Sequence, residues 1–287
     1  MSIARTVTTY SSLVRLSHTI FALPFALAAV VLASAYAPIT VRKVALIVLC
    51  IAAARTAAMA FNRLIDRDID ARNPRTQDRE LPRGALSVHA VRGLVIGSCA
   101  LFVLGAALLG RLPLLLSPIA LALALGYSYT KRFTALCHVL LGAAVALAPG
   151  GAWIAMGAPV TAAPWLLVLG VAAWVGGFDV LYSLQDQSFD RNAGLHSIPV
   201  RLGIVGALWV SALAHVVTAG CLLAVGVLLG RGAAYFAGVA LVSALLVYEH
   251  AIVKPSDLSR IDKAFFDLNG YVSVAFFACV LVDQALA

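Results

Sequence analysis

The sequence predicts an all-α integral membrane protein of nine transmembrane helices, and three observations carry the prediction. First, of 287 residues 62% are hydrophobic and 12% charged, whereas a soluble domain has roughly 45–50% apolar and about 25% charged residues. Second, nine apolar stretches each approach the roughly 20 residues that a bilayer-crossing helix needs. Third, the basic residues collect in the joints on one side of those stretches. So little polar surface suits lipid as the solvent, and a backbone in lipid must satisfy its own hydrogen bonds, as helices do.

The spans are read over 13–36, 42–66, 87–110, 112–130, 134–157, 163–186, 203–229, 232–253 and 264–286. Several hold Pro24, Pro118, Pro149, Gly176 or Gly177, which membrane helices tolerate. Short polar joints, Gly110-Arg111 and Gly230-Arg231, separate others. The first stretch has no A-x-A-like cleavage site with a polar region behind it, so it reads as a span and not a signal peptide. The five cysteines are scattered singly in apolar stretches, which argues against a disulfide framework and against a thiolate metal site.

Nine spans put the termini on opposite sides, and charge orients them. Sixteen of the 21 lysines and arginines lie in the N-terminus and the loops on its side; only Arg42, Lys43, Arg111 and Arg231 lie opposite, with Arg55 inside a span. The N-terminus and long loops are therefore expected in the cytoplasm, in a multi-pass protein of the inner (cytoplasmic) membrane. The +8 net charge reflects this topology, since the basic residues are split among loops in a way that does not suit nucleic acid. Of 13 acidic residues only Asp283 falls on the outer side. Acidic residues contribute little to orientation, so their clustering points to a use for carboxylates on the cytoplasmic face.

Two constellations concentrate them. The second span ends in NRLIDRDID, where Asn62, Asp66 and Asp70 repeat every four residues and share one helix face. The sixth ends in DVLYSLQDQSFD, where Asp179, Asp186 and Asp190, with Tyr182 beside them, are spaced seven and four. Like charges at i,i+4 repel, a helix C-terminus is already partly negative, and a charge deep in a span costs about 2.5–3.5 kcal/mol on insertion scales. A cation would offset all three. An all-oxygen ligand set suits Mg²⁺, which takes one or two carboxylates and completes its shell with water and substrate phosphate. The competing reading, solvated helix ends, is adequate for either row alone and poor for both.

The loops after the two rows resemble each other. One holds Arg72, Arg75, Arg79 and Arg83, the other Arg191 and Arg201; each has Asn soon after the last Asp and Pro further on, which hints at a duplicated unit. Guanidinium groups bind phosphate bidentately, although loop arginines also enforce topology. Lys131 and Arg132, in YSYTKRFT between the fourth and fifth spans, add cations on the same side.

These motifs resemble those of the UbiA superfamily of membrane aromatic prenyltransferases: N-x-x-x-D-x-x-x-D after the second helix and D-x-x-Y-x-x-x-D-x-x-x-D after the sixth. RLSHTIFALPFA, YSYTKRFT and GLHSIPVRLG are further matches, and the resemblance covers essentially the whole chain. It implies one domain over 1–287, nine helices around a central lipid-open cavity with a cytoplasmic cap, and transfer of a prenyl group from a polyprenyl diphosphate to an aromatic ring. It further implies that Asn62, Asp66, Asp70, Asp186 and Asp190 hold Mg²⁺ on the diphosphate, that Asp179 and Tyr182 line the site, and that Lys131 and Arg132 neutralise the leaving group; the loop arginines Arg75, Arg79 and Arg191 are apt for the same phosphate. Many members have Asp after the first Asn, and here it is Arg63. NRLIDRDIDARNPRT, YSYTKRFTALCH, GFDVLYSLQDQSFDRNAGLHSIP and EHAIVKPSDL look most like the 4-hydroxybenzoate branch, especially members of the futalosine route to menaquinone with a naphthoate acceptor.

On this reading, charge on the departing diphosphate is stabilised, an allylic cation forms away from water, and the ring attacks it. The ring proton goes to Asp179 or to diphosphate. Arg15 or Arg63 holds an acceptor carboxylate, with a topological anchor the equal alternative for Arg15. No protein partner is evident. A CDP-alcohol phosphotransferase fits less well, because no glycine follows Asp66, Asp68 or Asp70 and the second row is over 100 residues away. A cation-coupled transporter would carry its acids near midplane. His18, His138 and His250 have no partner histidine at helical spacing, and Glu249-His250 reads as a structural polar pair.

Overall fold

A computed structural model describes residues 9–10, 12–13 and 19–287, with no side-chain placement at 19 and 20. The described chain is helical apart from one isolated bridge, Lys254 with Asp257. Its principal helices are α1 Thr19–Ala33, α2 Val41–Ile65, α3 Val88–Leu109, α4 Arg111–Thr130, α5 Cys137–Met156, α6 Ala162–Ser183, α7 Ile198–Leu228, α8 Ala233–Ile252 and α9 Asn269–Leu286. Among the described residues eight helical segments are long and apolar enough to cross a membrane. The described part of α1 has 15 residues, short of a crossing; residues 14–18 of the expected first span, 13–36, lie outside the described residues.

The helices group into two units. The first comprises Leu46–Tyr129 with the residues before Ile20, and the second Ile20–Ala45 with Thr130–Ala287. Each carries one of the two carboxylate motifs.

In the first unit, Ser87 caps α3 by accepting from the Ala90 N–H at 3.2 Å, satisfying a donor that the helix cannot. The third and fourth spans divide at Gly110, as expected. Their faces carry exposed Leu104, Leu108, Leu115 and Ile119, which suits a lipid surround. Leu13, Ala60, Leu81, Val91 and Val95 pack together beneath the loop that follows α2.

In the second unit, close packing comes from small residues, as expected where helices associate without a hydrophobic drive. A Cβ on Gly142 of α5 would stand 2.2 Å from the Ala172 carbonyl oxygen of α6, and one on Gly176 would stand 3.3 Å from that of His138. Polar side chains then bond across helices: Ser211 Oγ to the Gly177 carbonyl at 2.8 Å and Thr218 Oγ1 to that of Gly170 at 3.1 Å. On the α5 end Lys43 Nζ meets the Met156 carbonyl at 3.1 Å, a cation against a helix C-terminus.

Three expected spans differ in detail. The seventh, read from 203, begins at Ile198 under a Ser197 cap; Gly203 has φ +71° and kinks it there, a conformation only glycine adopts freely. The sixth does not run helical through Asp190: a 3₁₀ turn, Leu184–Asp186, intervenes before a short helix, Gln187–Asn192. The ninth starts as Ile261–Lys263, passes through a π-helical turn, Ala264–Leu268, and only then becomes regular. The EHAIVKPSDL stretch leaves α8 and turns at the Lys254–Asp257 bridge; bonds from Ser259 hold the Asp257 carboxyl below the usual carboxylate range.

Candidate active site

The first carboxylate row is built by α2 and the turn after it. α2 stops at Ile65 and resumes as Arg67–Asp70, yet the i,i+4 backbone bonds run through: Asp66 N–H to the Asn62 carbonyl at 2.9 Å and Asp70 N–H to that of Asp66 at 2.7 Å. Asn62, Asp66 and Asp70 therefore share one face as expected. Asp66 and Asp70 are buried, whereas the out-of-phase Asp68 is 82% exposed and pairs with Arg67. Asn62 Nδ2 donates to Asp66 Oδ2 at 3.1 Å.

The following loop folds back onto the row. Asn73 Oδ1 accepts from the Arg75 N–H at 3.0 Å, a local turn, and Thr76 Oγ1 donates to the Asp70 carbonyl at 3.1 Å. These turns return the chain so that Arg79 Nη1 donates to Asp70 Oδ1 at 2.7 Å. Ser12 Oγ donates to Glu80 Oε1 at 2.5 Å, tying the loop to the N-terminal segment. Arg63 is buried on α2 and Arg75 is exposed. Arg15 lies outside the described residues.

Mg²⁺ fits the donors of this row. Asp70 Oδ2 is buried with no hydrogen-bond partner, a costly state unless something else compensates it, and the neighbouring ligands are all oxygen. Among the described residues no three His, Cys, Asp or Glu side chains form a metal cage. Mg²⁺ does not require one, since water and phosphate complete its shell.

The second row belongs to the second unit. Asp186 and Asp190 are half-buried, one at the end of the 3₁₀ turn and one inside the short helix after it. That helix ends in a Schellman motif: Gly194 has φ +69°, its N–H meets the Arg191 carbonyl at 3.4 Å, and the Leu195 N–H meets that of Asp190 at 2.8 Å. The His196 N–H then donates to the Lys131 carbonyl at 2.7 Å, and Cys137 Sγ contacts the His196 carbonyl at 3.5 Å. The YSYTKRFT loop is thus fastened to the loop of the second row, which brings Lys131 and Arg132 into its neighbourhood. Arg191 is exposed.

Asp179 lies on α6, ahead of this pair and before the 3₁₀ turn. Its Oδ2 is 2.7 Å from His138 Nδ1 on α5, and its side chain remains 23% exposed. Tyr182, one turn on, stacks on Phe265 of the π-helical turn with ring centroids 4.0 Å apart.

Sequence reasoning missed His138, because it sought histidine partners along one helix and this partner is an aspartate on the next. The Gly176-Gly177 pair beside Asp179 was the available signal of a close helix neighbour. Glu249 and His250 share one buried polar cluster, as expected of a structural pair: His215 Nδ1 lies 3.0 Å from His250 Nε2 and 3.7 Å from Glu249 Oε2. Glu249 Oε1 also accepts from Asn269 Nδ2 at 3.0 Å. Trp174 Nε1 completes this buried network by donating to Asn269 Oδ1 at 2.6 Å.

Fold and donors together define a multi-pass helical membrane protein with oxygen-ligand rows and cationic loops at its helix ends. The chain belongs to the UbiA prenyltransferase family, whose model matches residues 22–278. It is 33% identical over 232 residues to the 4-hydroxybenzoate octaprenyltransferase of Aromatoleum aromaticum, covering 80% of this chain and 77% of that one. Among solved structures it is similar to a UbiA homologue from Aeropyrum pernix K1, at 36% identity and a TM-score of 0.85, covering 93% of this chain and 98% of that one. It also shares its fold, at 21% identity and a TM-score of 0.72, with a UbiA homologue from Archaeoglobus fulgidus bound to DMAPP and Mg²⁺, covering 97% of this chain and 100% of that one.

Proposed function

We propose that the protein transfers a polyprenyl group from a polyprenyl diphosphate to the ring of an aromatic acid, with its carboxylate rows at the cytoplasmic face of the inner membrane. The observation that carries this reading is the Asp70 carboxylate: one oxygen is fixed by Arg79 and the other is buried without a partner.

Asn62, Asp66, Asp70, Asp186 and Asp190 would hold Mg²⁺, which when bound supplies positive charge to the departing diphosphate. Lys131 and Arg132, with Arg75, Arg79 and Arg191, add cations that can pair with phosphate oxygens. Apolar helix faces keep water from the allylic carbon as the carbon–oxygen bond breaks. The ring carbon bonds to that allylic carbon and releases its proton to Asp179. Tyr182 lines the same region of α6. Arg63 holds the acceptor's carboxylate, with Arg15 the second candidate.

The acceptor is 4-hydroxybenzoate or a dihydroxynaphthoate. The names of the related enzymes favour the first, since A. aromaticum's is a 4-hydroxybenzoate octaprenyltransferase. The motif GFDVLYSLQDQSFDRNAGLHSIP favours the second, in a menaquinone route. Purified protein in detergent, given Mg²⁺, a polyprenyl diphosphate and each acid in turn, tests both by mass spectrometry of the products. A prenylated acid with stoichiometric diphosphate is expected. Absence of product with every acid would overturn the reading.

A further inference from the structure

We infer that His138 is a positioning residue for ring deprotonation: it holds one oxygen of Asp179 so that the other stays open to the acceptor's proton. The inference rests on the reading of Asp179 as proton acceptor.

Its basis is the joint between α5 and α6. Gly142 and Gly176 let these helices approach until backbone meets backbone, at Ala172 and at His138 itself. That approach sets His138 Nδ1 2.7 Å from Asp179 Oδ2, with the imidazole only 4% exposed. The other ring nitrogen, Nε2, accepts the Ile198 N–H at 3.4 Å. Ile198 opens α7, where backbone N–H groups have no partner within the helix. A ring nitrogen that accepts carries no proton, so the neutral imidazole bears its proton on Nδ1 and donates it to Asp179. The imidazole is therefore fixed at both ends.

Asp179 makes no other hydrogen bond among the described residues, and its side chain is partly exposed. Its two oxygens consequently differ: Oδ2 is held as an acceptor and Oδ1 is open. In the reaction, the ring carbon bonds to the allylic carbon as diphosphate leaves with the electron pair of the carbon–oxygen bond. The ring carbon then loses its hydrogen as a proton to Oδ1, and the C–H electron pair restores the aromatic ring. The proton passes on to water or to the released diphosphate. The benefit of His138 lies in orientation; displacement of a reacting group by about 1 Å costs on the order of 100-fold.

The test compares His138→Leu with His138→Asn, whose amide N–H replaces the Nδ1 donor, using acceptor deuterated at the ring carbon that is prenylated. For His138→Leu, kcat should fall about 10- to 100-fold with KM for the prenyl diphosphate unchanged, and a primary isotope effect larger than the wild-type value should appear. His138→Asn should recover most of the rate and reduce the isotope effect. His138→Gln, which keeps bulk but moves the donor to the Nε2 position, should behave as His138→Leu and serves if the leucine variant does not fold. An unchanged isotope effect in both donor-less variants, or His138→Asn no better than they are, would overturn the inference. Failure of the underlying reading looks different: the wild-type protein itself would form no product, and this inference would fall with it.

Discussion

Arg79 Nη1 donates to Asp70 Oδ1 across nine residues of loop, and Asp70 Oδ2 is left buried without a hydrogen bond. The arginine thus fixes a carboxylate whose second oxygen is available to a cation. Groups that orient a metal ligand in this way typically contribute 10- to 100-fold in metal affinity or activity. Arg79→Ala should raise the Mg²⁺ concentration for half-maximal diphosphate release by about that factor. A Mg²⁺ titration at saturating prenyl diphosphate measures it, and Asp70→Asn should be more severe.

Gly142 and Gly151 lie on the same helix and make opposite predictions. A Cβ on Gly142 meets the Ala172 carbonyl oxygen at 2.2 Å, whereas one on Gly151 meets nothing within 4 Å. Gly142→Ala should destabilise by about 1–3 kcal/mol through overpacking. Gly151→Ala should be neutral or stabilising by up to about 1 kcal/mol, because alanine is the better helix former. Thermal unfolding in one detergent distinguishes them.

Asp283, the acid set apart by charge in the sequence, serves as a helix cap. It accepts from Arg231 Nε at 2.8 Å and from the Gly232 and Tyr235 N–H groups at 3.3 and 3.2 Å, capping α8 from a neighbouring helix. Both side chains are largely buried, and breaking such a pair typically costs about 3–5 kcal/mol. Asp283→Ala should lower the melting temperature strongly while leaving prenyl transfer by the folded fraction near normal.

Eight of the nine expected spans and the shared face of Asn62, Asp66 and Asp70 were legible because hydropathy and i,i+4 spacing are local properties. Asp66 and Asp70 came out buried and in phase, with Asp68 exposed, as their spacing required. Interruptions inside helices were not legible. Nothing in LQDQSF announces the 3₁₀ turn that lies between Asp179 and Asp190. Contacts between helices were equally hidden: His138 and Asp179 are 41 residues apart, and no periodicity joins them. Gly203 was read as the start of a span when it is a kink within one, because glycine punctuates helices in both ways.

Glu249 tests the buried network directly. Its Oε1 accepts from Asn269, which itself accepts from Trp174. Glu249→Gln keeps an acceptor there and should be tolerated. Glu249→Leu removes it, and interhelical hydrogen bonds in membranes average about 0.6 kcal/mol with a maximum near 1.7. A loss of about that size by thermal unfolding, specific to the leucine variant, is expected.

The most direct measurement is prenyl transfer by Asp66→Ala, with membrane insertion and yield matched to wild type. Asp66 is buried, lies in phase with Asp70 and is held by Asn62, and the proposed role as a Mg²⁺–diphosphate ligand predicts no detectable prenylated acceptor and no diphosphate release at any Mg²⁺ concentration. Full activity in that variant would contradict the assignment of the carboxylate rows to diphosphate chemistry.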